Sequence, residues 1–223
     1  MEGPEIKLVL FDLDGTLVTL NFNADKTRSA LHKYYLSKYD LDIFFKPVLQ
    51  RIGEAEQVIE AGKGGAAARA ATAKANEILR ENEERALVGA KLLPYAAENI
   101  DEFQRENIKV GIFSRTTKSV VESAIERFGL GPFDIVISRE DTVETKPSPE
   151  PVNYALSKLE IKPEHCLVVG DHPYDIESGK GAGALTAGVL TGLAGKNDLL
   201  DAGADYVFQD MRGLVLEILG VEL

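Results

Sequence analysis

Short apolar runs recur along the chain at residues 6–11, 108–113, 134–137, 166–169, 184–190 and 205–208. Their successive residues are nearly all apolar, which suits strands covered on both faces, the pattern of a parallel sheet. Residues 96–106, 118–128, 150–159 and 175–181 have the spacing of connecting helices. This alternation fixes the expected class as α/β, a doubly wound, Rossmann-like parallel sheet. Sheets of this kind hold ligands beyond the carboxyl ends of their strands. The residues at those ends therefore matter most for function.

The rhythm breaks once. From residue 20 to residue 89 there is no convincing strand. Residues 24–39 are amphipathic, with Leu31, Tyr34 and Tyr35 on one face. Residues 66–87 are rich in strong helix formers and carry a narrow stripe of Ala67, Ala71, Ala75 and Ile78. Between them, Gly62-Lys63-Gly64-Gly65 reads as a flexible break. The expectation is an inserted α-helical cap at residues 19–90, within a core made of residues 1–18 and 91–223. An insert that leaves the sheet directly after its first strand can act as a lid that excludes water and chooses the substrate. A purely structural helical subdomain is the alternative.

The first strand runs into Asp12-Leu13-Asp14-Gly15. Side chains at i and i+2 of an extended segment leave on the same side. Two anions so placed repel unless a cation sits between them or one holds a proton. An Asx turn with Asp14-Gly15 as its turn pair is the ordinary reading. Other strand ends add to the set. Ser114 follows the second run, Lys146 lies in the loop after the third, and Asp171 and Asp175 follow the fourth. Singly each has a plain explanation: a turn serine, a solvated lysine, a helix cap. Together, on one sheet edge, they suit a hard divalent cation and a phosphate.

Asp12-Leu13-Asp14-Gly15-Thr16-Leu17, then Ser114, Lys146 and Gly170-Asp171-x-x-x-Asp175, resemble in order and spacing the four motifs of the haloacid dehalogenase-like hydrolase superfamily. The resemblance covers the whole chain, including the place of the helical insert, and the layout looks most similar to phosphoglycolate phosphatases. It implies that Asp12 is a nucleophile forming an aspartyl-phosphate and that Asp14 is general acid and then base. It implies Mg²⁺ held by Asp12, the main-chain carbonyl of Asp14, and Asp171, with Asp175 completing or supporting that shell. Lys146 would neutralise phosphate charge, Ser114 and the N–H of Arg115 would hold phosphate oxygens, and Thr16 would orient the loop. The Arg115 side chain is open between a second substrate anion and a solvated surface role. A dehalogenase would lack Asp14. A phosphomutase would keep both aspartates and protect the aspartyl-phosphate from water. A catalytically inactive phosphate-binding protein would have lost a nucleophile or metal residue, and none is missing.

The remaining signals set bounds. A net charge of −11 argues against nucleic acid as a partner and requires local cations at any phosphate site. Mean hydropathy of −0.09, with no long apolar run, argues against a membrane. The acidic first residues lack the layout of a signal peptide, so a cytoplasmic enzyme is expected. Its partner would be a small phosphorylated metabolite, and its state a monomer or small homo-oligomer. The single cysteine, Cys166, reads as a core residue. His32 and His165 read as surface or packing residues, His172 as peripheral or substrate-contacting, and Lys63 as a group that could reach substrate from the cap.

Overall fold

The structure, a computed structural model, describes residues 5–221. In chain order its elements are β1 (Leu8–Phe11), β2 (Val18–Thr19), α1 (Ala24–Tyr39), α2 (Val48–Lys63), α3 (Gly65–Val88), β3 (Lys91–Leu92), α4 (Ala96–Arg105) and β4 (Lys109–Phe113). They continue with α5 (Lys118–Phe128), β5 (Ile135–Ile137), α6 (Glu150–Leu159), β6 (Cys166–Gly170), α7 (Pro173–Ala182), β7 (Leu185–Val189), α8 (Lys196–Asp201), β8 (Tyr206–Phe208) and α9 (Met211–Leu219). Two compact units result: Asn21–Gly89, and the chain before and after it.

The larger unit is built on a parallel sheet of order β5-β4-β1-β6-β7-β8. The chain winds outward from β1 through β4 to β5, then returns to the other side of β1 and winds through β6. The order reverses at β1, the switch point beyond whose carboxyl edge sheets of this kind hold a ligand. All four residues of β1 are fully buried, as expected for a strand covered on both faces. Leu8 and Leu10 join a cluster with Val152, Ala155 and Leu156 of α6. The alternate residue Phe11 meets Phe103 of α4, with ring centroids 6.1 Å apart. Burying each such side chain contributes about 1.5–3 kcal/mol.

Register then sets the site. Phe11 is level with Ile112 of β4 and Val169 of β6, so Asp12 emerges level with the last residues of both neighbours, Phe113 and Gly170. The Asp12 N–H still donates to the Val169 carbonyl at 2.8 Å. Past it the chain turns tightly. Leu17 and Val18 N–H groups both return to the Leu13 carbonyl at 3.0 Å, and Leu13 and Leu17 are fully buried. Strands β2 and β3 pair antiparallel, with Val18 opposite Leu92, so the chain leaves and re-enters this unit side by side.

The smaller unit is three helices packed on Leu31, Tyr35, Phe45, Ile52, Ala55, Ile59, Ala68, Ala71, Ala75 and Leu79. Helix α1 starts at an Asn23 cap whose side chain accepts the Lys26 N–H at 2.9 Å, and it stops at Asp40 in the left-handed region. Three expectations need correction here. Helix α2 was absent from the sequence reading, although Ile52, Ala55 and Ile59 mark its buried face at helical spacing. The glycine-rich break is only Gly64, because α2 runs through Lys63 and α3 starts at Gly65. The α3 stripe is also turned by part of a residue. Its buried line is Ala68, Ala71, Ala75 and Leu79, while Ala67 and Ile78 are half-buried at the margin.

Candidate active site

The carboxyl ends of β1, β4 and β6 and the loop after β5 bring Asp12, Ser114, Asp171 and Lys146 together, and Asp175 reaches them from the first turn of α7. All five are buried. Lys146 bridges two acids: its Nζ donates to Asp12 Oδ1 and to Asp175 Oδ1, each at 2.5 Å, and to the Phe113 carbonyl at 3.1 Å. The ring of Phe113 lies 4.1 Å from the ammonium. Burial would pull the lysine's pKa down. The charges and hydrogen bonds of the two aspartates outweigh it and hold the pKa above the ordinary value.

Asp12, Asp171 and Asp175 each offer one carboxylate oxygen, all within 4.8 Å of one another. Three carboxylates against one ammonium leave the site short of positive charge. The titration behaviour follows. Burial first, then the neighbouring aspartates, push Asp171 up to about 8. Burial pushes Asp12 up to about 6 although Lys146 pulls it down. Such a cluster of buried oxygens with excess negative charge fits a hard divalent cation. Both Asp175 oxygens are already engaged, Oδ1 by Lys146 and Oδ2 by the His172 N–H at 3.0 Å. Asp171 Oδ1 accepts from the Thr16 hydroxyl at 3.2 Å. The less committed oxygens belong to Asp12 and Asp171.

Asp14 is not in this cluster through its side chain. Its Oδ1 accepts the Leu20 N–H at 2.6 Å, and its pKa is pushed up to about 6, chiefly by burial and further by Asp12. Ser114 is buried, and its Oγ accepts the Thr116 N–H at 3.2 Å. Arg115 stands next to it with its guanidinium over the Tyr174 ring, 5.1 Å from the centroid. The helix-cap alternative for Asp171 fails, because the α7 cap is His172, whose Nδ1 accepts the Tyr174 N–H. Asp175 does both things: it closes the capping box and joins the cluster.

Sequence reasoning passed over Thr191 and Gly192. The Thr191 hydroxyl donates to the Gly15 carbonyl at 2.5 Å. A Cβ on Gly15 would meet Asp171 Cγ at 2.5 Å, with φ +91 already disfavouring a side chain, and one on Gly192 would overlap the same carboxylate. Both glycines thus leave the room that the Asp171 carboxylate occupies. The signal available in the sequence was their place just past β7, on the ligand-bearing edge. Cys166 is buried in the core. His32 pairs with Asp42 at the surface, and His165 faces the Glu5 carbonyl. Lys63 lies over the Tyr39 ring within the helical unit.

A profile of the family described as haloacid dehalogenase-like hydrolase matches residues 9–189. A protein named Pyrophosphatase PpaX from Oceanobacillus iheyensis is 32% identical over 215 residues, covering 94% of this chain and 95% of that relative. A hydrolase structure from Pseudomonas syringae covers 97% of this chain and 100% of its own at a TM-score of 0.71 and 22% identity. A structure named as a predicted phosphoglycolate phosphatase from Haemophilus somnus covers 96% and 98% at a TM-score of 0.64 and 19% identity. Among the described residues no helix is long and apolar enough to cross a membrane.

Proposed function

This chain belongs to the haloacid dehalogenase-like hydrolases and is a phosphatase, and from that premise we propose that it hydrolyses a small phosphate ester or anhydride through an aspartyl-phosphate on Asp12, with Mg²⁺ as its metal. The observation that carries the reading is the buried group of Asp12, Asp171, Asp175 and Lys146 at the strand ends.

Asp12 and Asp171 would hold the metal, with Asp175 as a supporting ligand that also fixes Lys146. A bound Mg²⁺ supplies charge neutralisation, so that an anionic carboxylate and an anionic phosphate can approach. An Asp12 oxygen forms a bond to phosphorus as the bond to the leaving oxygen breaks. Lys146 stabilises the charge on the transferred group. The Ser114 hydroxyl and the Arg115 N–H donate to its oxygens. Asp14 gives its proton to the leaving oxygen, then takes one from the water that releases phosphate from Asp12. A carboxyl titrating at about 6 is poised for both transfers near neutrality. One relative is named a pyrophosphatase and one solved neighbour a predicted phosphoglycolate phosphatase, so pyrophosphate and phosphoglycolate are the two substrates to try.

The test is phosphate release from both compounds with Mg²⁺ and with a chelator, plus acid-quench trapping of an acyl-phosphate. Chelator-sensitive turnover and a hydroxylamine-labile phosphoprotein are expected. Turnover that survives chelation, or an unlabelled protein, would refute the mechanism.

A further inference from the structure

The phosphoryl chemistry uses only the main-chain N–H of Arg115. Its guanidinium is a cation set into the edge of a site in a chain of net charge −11. The Nε is sealed from solvent and meets no hydrogen-bond partner. Leaving a buried donor of a charged group unpaired is costly, and such groups are normally matched by an anion. The arginine is also held in place. Its guanidinium lies on Tyr174, and its carbonyl accepts from Arg139 Nη1 at 3.2 Å. Tyr174 in turn meets His172 edge-on, with centroids 4.6 Å apart. His172 caps α7 and follows Asp171 directly. Burial holds the Arg115 pKa below its ordinary value although Tyr174, Asp175 and Asp12 pull it up, so the guanidinium lies within electrostatic range of the proposed nucleophile.

We propose that Arg115, propped on Tyr174, binds a second anionic group of the substrate, one residue along from Ser114. The favoured substrates are then compact phosphates with another negative group a few bonds from the transferred phosphorus. That group is either a phosphate in anhydride linkage or a carboxylate, both of which match a guanidinium fork. The inference rests on the phosphatase reading and narrows it to a substrate class.

The experiment compares kcat/KM for pyrophosphate, 2-phosphoglycolate and p-nitrophenyl phosphate, whose leaving group carries no charged substituent. In Arg115→Met the loss on the first two substrates should exceed the loss on the third by about 10- to 100-fold, as expected for a charge-assisted contact. Arg115→Lys, which keeps the charge but not the fork, should fall between. These ratios do not depend on how much enzyme is folded. The larger selective loss distinguishes pyrophosphate from the carboxylate as the natural fit. Equal losses on all three substrates, or none, overturn the proposal. If the wild-type protein hydrolyses nothing, the phosphatase reading fails instead. Calorimetric binding of pyrophosphate to Asp12→Asn, with and without Arg115→Met, then decides this inference. A 10- to 100-fold weaker affinity supports it, and equal affinity sinks it.

Discussion

At the scale of single residues, one carboxylate's surroundings decide its chemistry. Asp12 and Asp14 differ by two positions, yet Asp12 is paired with Lys146 and Asp14 holds the Leu20 N–H. Asp12→Asn keeps the shape and removes the nucleophile, so kcat should fall by about 10⁴-fold or more. It also relieves repulsion among three clustered acids, so without metal the melting temperature should hold or rise. Asp14→Asn should slow both formation and hydrolysis of the phosphoenzyme by about 10²- to 10⁴-fold in single-turnover kinetics. Cys166 shows burial acting alone: its thiol is pushed up to about 12. Thiolate is then scarce at pH 8, and iodoacetamide should label the protein only after denaturant is added.

At the scale of elements, small side-chain ties fix strands and helices that carry the site. Asp205, just before β8, accepts from Thr186 N at 2.8 Å and Oγ1 at 2.9 Å on β7, and from Lys180 on α7 at 2.9 Å. Burial would raise its pKa, but these bonds prevail and hold it below the ordinary value. A depressed folded pKa adds stability that is fully present above the unfolded value and is lost as pH falls through the folded one. Asp205→Asn should therefore cost about 1–3 kcal/mol at pH 7, and the difference from wild type should shrink in acid denaturation curves below about pH 4. Elements also show where reading by pattern stopped. The β-runs were legible because a buried parallel strand is apolar at every position. Strands β2 and β3 have two residues each, too few for any period. Helix α8 has six residues, under two turns, and α9 is apolar at most positions, so neither shows a clear contrast between two faces.

At the scale of the whole molecule, the two compact units meet different demands. Pairing of Val18–Thr19 with Lys91–Leu92 closes the larger unit on itself, so that unit should fold without the residues between. Replacing residues 21–89 with a short Gly/Ser turn should leave a cooperatively melting protein that keeps its near-UV circular dichroism. A molten product in near-UV circular dichroism would show that the helical unit is needed for folding. Periodicity in the sequence determined the α/β class and its parallel strands, because burial on both faces leaves a one-dimensional trace. The spacing of Asp12, Asp14 and Asp175 was equally visible, because those residues lie within a few positions of a strand end. The tertiary structure alone decided that Lys146 bridges Asp12 and Asp175, that Gly15 and Gly192 leave room for Asp171, and that Arg115 rests on Tyr174. Those contacts join residues as many as 156 positions apart, Gly15 and Asp171, and strand order and register set such distances, which no local pattern encodes.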